Sequence, residues 1–96
     1  MSDERRARIE AKLAECLKAS HAEVLDESHL HAGHEGAKSG GGHFRATLVS
    51  TRFEGLSRVA AQRLVYEVID DEFQSGSIHA LAMRTFTPQK WAEAEA

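Results

Sequence analysis

Several things that would set a functional class are scarce in this sequence. There is one cysteine, Cys16, so no internal disulfide can form, and an unpaired thiol fits a reducing compartment better than secretion. No stretch approaches the ~20 apolar residues needed to span a bilayer. The charged start (Asp3, Glu4, Arg5, Arg6, Arg8) leads into no apolar run of signal-peptide length, so a cytoplasmic location and no membrane contact are expected. Excess positive charge is missing too. Twelve Lys and Arg stand against fifteen Asp and Glu, a formal net charge of -3, so phosphate backbones are not drawn to the molecule as a whole.

What is present is the composition of one small folded unit. Hydrophobic residues make up 42% and charged residues 28% of 96 residues, too apolar for a chain disordered throughout and too short for a second domain of ordinary size. The whole chain, 1–96, is therefore read as a single domain with a thin core.

Along the chain, Ile9, Leu13, Cys16 and Leu17 fall at i, i+4, i+7 and i+8, one stripe of a helix that Ser2 can cap, with Cys16 read as a small buried hydrophobe. His21 to Ser28 reads as a strand. Residues 29–43 are rich in Gly and His and read as a flexible hairpin loop, after which Phe44, Ala46 and Leu48 alternate with Arg45 and Thr47 in a second strand, His43 to Ser50. Ser57 is placed to cap a helix running to about Phe73, with Ala61, Leu64, Val65, Val68 and Ile69 on its apolar stripe. Ile78 to Thr85 reads as a third strand, with Ile78, Ala80 and Ala82 on one face and His79, Leu81 and Met83 on the other. Thr87 and the single proline, Pro88, start a short helix that carries Trp91 and frays over 92–96.

The order α-β-β-α-β-α gives an α+β domain with a three-stranded mixed sheet: an antiparallel hairpin plus one parallel strand, with helices on one face.

Four histidines, His29, His31, His34 and His43, lie within fifteen residues, and His79 opens the last strand. Imidazole suits zinc, iron, copper and nickel, yet no HExxH pattern or cysteine pair completes a site, so the cluster alone reads as solvated loop histidines or as part of a metal site. Gly33-His34-Glu35-Gly36 has the GxxG spacing of KH nucleic-acid modules but sits inside a hairpin. Glu67, Asp70, Asp71 and Glu72 read as a solvated helix end. No Ser or Cys nucleophile has an oriented base, so no enzymatic activity is expected.

Taken together, Asp26-Glu27-Ser28-His29 with His31, His43-Phe44, Phe53-Glu54-Gly55-x-Ser57, Arg63-Leu64-Val65-Tyr66, Ile78-His79-Ala80-Leu81-Ala82 and Thr87-Pro88-x-x-Trp91 resemble the BolA family, over about Ile9 to Trp91. The insertion around Gly40 to Gly42 is similar to the form in some bacterial members. The resemblance implies a small α+β domain related to the class II KH fold. It also implies a heterodimer with a monothiol (CGFS) glutaredoxin that shares a 2Fe-2S cluster, with a glutaredoxin cysteine and a glutathione thiol on one side and two residues of this chain on the other.

On that resemblance His79 is one ligand and a hairpin residue the other. The hairpin has no cysteine, so the chain resembles the His-type subgroup, with His31 the best positional match and His34 or His43 able to replace it. His21 and His29 are left as surface residues. The implied role is in cluster trafficking or regulation and in iron homeostasis, with no cofactor expected in the isolated chain and a weak homodimer left open. The alternative from the same resemblance is a DNA-binding transcriptional regulator that uses Arg58 and Arg63 on the second helix, where Ala61 and Gln62 replace a frequent Arg-His pair.

Overall fold

A computed structural model of the chain describes residues 2–27 and 42–95. Helix α1 (Ser2–Cys16) leads through a tight turn into strand β1 (His21–Asp26). Strand β2 (Gly42–Val49) is followed by a 3-10 turn (Thr51–Phe53), helix α2 (Arg58–Val68), the short helix α3 (Asp70–Gln74), strand β3 (Ile78–Phe86) and helix α4 (Pro88–Glu95). The sheet order is β1-β2-β3, with β1 antiparallel and β3 parallel to the central β2. The three-stranded mixed α+β architecture expected from the sequence is the one observed, but the helices are not all on one face: α4 sets Trp91 against His21 and Phe86, on the side of Val49 that faces away from α1 and α2.

The core lies between the sheet and helices α1 and α2. From α1 come Ile9, Leu13 and Leu17, all fully buried, against Val24 of β1, Phe44, Ala46 and Leu48 of β2, and Ala61 and Val65 of α2. Each fully buried Ile, Leu, Val or Phe among them contributes roughly 1.5–3 kcal/mol. Cys16 is exposed, contrary to the expected stripe. Helix α1 ends at Cys16 and the chain turns at Lys18 with φ 49, so the inward place in the last turn goes to Leu17. Ser50 ties this turn to the end of β2: its buried hydroxyl donates to the Leu17 carbonyl at 2.6 Å and accepts from the Arg52 N–H at 3.0 Å.

Ser57 caps α2 by accepting from the Ala60 N–H, as its position predicts. The helix does not run on to Phe73. Ile69, buried and non-helical at φ -111, ψ 20, breaks it, and α3 follows as a separate short helix. Glu72 of α3 meets Arg8 and Lys12 of α1 and is 5% exposed. The solvated acidic helix end expected from the sequence is therefore corrected at this residue. Arg8 donates to Glu72 Oε1 at 2.7 Å and Oε2 at 3.2 Å, and Lys12 reaches Glu72 Oε2 at 3.4 Å and also Asp71 Oδ2. The Arg8 hydrogen bonds, opposed by burial, hold the Glu72 carboxyl below the ordinary glutamate range, and Lys12 does the same for Asp71.

Thr87 Oγ1 accepts from the Lys90 N–H and starts α4, which carries Trp91 onto the row formed by His21, Val49 and Phe86 across the three strands. The Trp91 ring lies 4.9 Å from His21 and 5.2 Å from Phe86, which explains why Val49 is fully buried although it stands outside the main core cluster. Among the described residues no helix is long and apolar enough to cross a membrane.

Candidate metal centre

At the opposite end of the sheet, β2 and β3 begin side by side and fall out of step. Gly42 pairs with Ile78 but His43 pairs with Ala80, so β3 carries one more residue than β2 across this step, and the extra residue is His79. A bulge of this kind bends the strand and re-aims a side chain. It also interrupts the alternation read from the sequence. Ala80 and Ala82 share the exposed face and Leu81 and Met83 the core face, as grouped from the sequence, but Ile78 joins the core face and His79 is exposed, so the expected faces hold only from Ala80 onward.

The bulge sets the His79 ring 5.1 Å from the His43 ring, centroid to centroid, with the planes inclined at 44°. His79 is exposed and His43 partly buried, with its Nε2 out of solvent. The backbone around the pair is pinned: the Glu27 N–H donates to the His43 carbonyl at 2.8 Å, and the Gly42 N–H to the Ser77 carbonyl at 3.1 Å. Arg45 and Glu27 form an ion pair beside it at 3.1 Å.

Two imidazoles bound through nitrogen at about 2.0–2.1 Å to one tetrahedral ion have ring centroids roughly 5 Å apart. The separation of His43 and His79 thus fits two ligands of one metal. Among the described residues no group of three or more His, Cys, Asp or Glu could hold an ion, so this pair is at most half of a coordination sphere.

Of the ligand candidates, then, the structure brings together His79 and His43. His31 and His34 lie outside the described residues, as does His29. His21 is 4.9 Å from Trp91, at the far end of the sheet from His79. The approach of His43 to His79 has no local signal in the sequence, because Ala80, Leu81, Ala82 and Met83 offer apolar residues to both faces and the bulge shows only in the register of β2 with β3.

The nucleic-acid candidates fare differently. Arg58 and Arg63 are both exposed on α2, but five positions place them about 140° apart around the helix, so they do not form one basic face. Arg58 instead lines a cleft of about 560 Å³ together with Gln62, Arg84 and Lys90. Arg84 and Lys90 were not singled out by the sequence, since only folding brings them to α2.

Comparison with known proteins follows the same lines. A family profile described as BolA-like protein matches residues 13–90. BolA-like protein 1 of Mus musculus is 41% identical over 87 residues, covering 91% of this chain and 61% of its own length, so the chain spans about three fifths of that relative. A Vibrio cholerae protein named DNA-binding transcriptional regulator BolA is 41% identical over 85 residues, covering 88% of this chain and 76% of its own. Among solved structures, the BolA domain of SufE1 from Arabidopsis thaliana superposes with a TM-score of 0.78 at 40% identity, over 90% of this chain and 94% of that one. The sequence match across the core elements and the shared fold make this chain a member of the BolA family.

Proposed function

We propose that this chain is a non-enzymatic partner of a monothiol glutaredoxin, supplying His79 and one hairpin histidine to a shared 2Fe-2S cluster for iron-sulfur trafficking or regulation. The observation that carries this reading is the 5.1 Å approach of the His43 and His79 rings at the exposed start of β3. His43 is favoured as the second ligand on that ground, with His31 and His34 as the competing donors. When bound, such a cluster supplies reversible one-electron chemistry, at a potential raised where histidine replaces thiolate.

The chain's own contribution is placement. The bulge presents His79 outward to a partner, and the ladder beneath holds His43 in register with it. Because one molecule offers two donors, the remaining ligands come from the glutaredoxin and from glutathione, and the isolated chain holds no cluster. The exposed Cys16 thiol suits a reducing compartment such as the cytoplasm. Anaerobic co-purification with a cluster-loaded monothiol glutaredoxin tests the reading. A coloured heterodimer with the wild type and none with His79→Ala is expected; a colourless mixture with the wild type rejects it.

A second reading, DNA-binding transcriptional regulation, is favoured by the name of the Vibrio cholerae relative. It would use Arg58 and Arg63 of α2. A mobility shift that weakens steeply with salt and is lost on Arg63→Glu is its expected signature.

A further inference from the structure

Independently of the metal reading, we propose that the cleft between the outer edge of β3 and the start of α2 binds an extended acidic peptide segment of a partner protein, added as a fourth strand beside Met83 and Thr85.

The cleft is bordered by five consecutive residues, Met83 to Thr87. Successive side chains of a strand point to opposite faces, so the unbroken run of its last four residues, Met83 to Phe86, along one wall means that the wall is the edge of β3. The Phe86 carbonyl accepts from the Ser50 N–H on the β2 side. Alternation therefore turns the backbone groups of Met83 and Thr85 outward, into the cleft. The two edges of the sheet are treated differently. On β1 the edge is closed by α1, because Glu10 accepts from the Val24 N–H at 2.9 Å and Arg6 donates to the Val24 carbonyl at 3.2 Å. On β3 the described residues provide no such cover, and an uncovered edge is a template for strand addition.

Charge selects the occupant. Arg58, Arg84 and Lys90 reach the cleft from three different elements; among the described residues none of the three is ion-paired and no acidic residue lines the cleft. Leu56, 42% exposed, adds an apolar contact at the α2 end. A single strand of nucleic acid would need free aromatic faces for its bases. Here Phe53 is buried, and the Phe86 ring lies under Arg84 at 5.1 Å and against Trp91 at 5.2 Å. Extended backbone carrying carboxylates matches both the edge and the charge.

The test is a titration of the full chain with a fluorescein-labelled hexapeptide of alternating Glu and Val, beside the corresponding Lys and Val peptide and a labelled hexathymidylate. Saturable binding of the acidic peptide is expected, with amide shifts at Met83 and Thr85 in nuclear magnetic resonance spectra. Affinity should fall at least about tenfold in the Arg58→Glu, Lys90→Glu double variant, which reverses two exposed charges and leaves the far-ultraviolet spectrum intact. Arg84→Gln should weaken it as well. Absence of saturable binding, equal binding of the basic peptide, or tighter binding of the oligonucleotide at the same amides overturns the proposal.

Discussion

Arg8 and Glu72, sixty-four residues apart, are joined by two hydrogen bonds of 2.7 and 3.2 Å that fasten the first helix to the short helix α3 before the last strand. Glu72 is buried and Arg8 half exposed, so the carboxylate depends on this contact more than the guanidinium does. Glu72→Gln should therefore lower unfolding stability by about 1.5–3 kcal/mol, the range for hydrogen bonds to charged groups. Urea denaturation at neutral pH measures it.

The same contact fixes a pH dependence. Because the folded-state value of Glu72 is depressed, its contribution is complete above the unfolded carboxylate range and disappears as pH falls through the folded value. Stability should drop on acidification below about pH 4.5 in the wild type and drop less in Glu72→Gln. Melting temperatures across pH 3 to 7 check the sign.

Lys18 holds a left-handed conformation at φ 49 where the chain leaves α1. A side chain there costs roughly 1–2 kcal/mol against glycine, partly offset by the greater freedom glycine has when unfolded. Lys18→Gly should thus stabilise by about 0.5–1 kcal/mol, read as a rise in melting temperature of several degrees.

Gly42 supports the histidine pair from below. A Cβ at this position would stand 2.4 and 2.7 Å from the Phe44 ring, and Phe44 is only 2% exposed, so the ring has no room to swing away. Gly42→Ala should destabilise by about 1–3 kcal/mol through overpacking. By shifting the residue before His43 it should also reduce cluster sharing with glutaredoxin more than Lys18→Gly does, a comparison that visible circular dichroism can make.

Much of the architecture was legible because local patterns carried it. The Ile9, Leu13 and Leu17 spacing marked α1, the alternation of Phe44, Ala46 and Leu48 marked β2, and Ser57 and Thr87-Pro88 marked two helix starts. What escaped depended on partners distant in sequence. Glu72 looked solvated because Arg8 and Lys12 are supplied by α1. His79 was placed on the wrong alternation because a bulge cannot be counted until the neighbouring strand is known. His79 as a ligand candidate came from family resemblance, whereas its approach to His43 came only from the register of β2 and β3.

Pulsed electron paramagnetic resonance on the reduced heterodimer, with this chain alone labelled by 15N-histidine, tests the central claim most directly. Two inequivalent nitrogen couplings from the labelled chain are expected, one lost with His79→Ala and the other with His43→Ala. A reduced cluster that shows no coupling to any histidine nitrogen of this chain would contradict it.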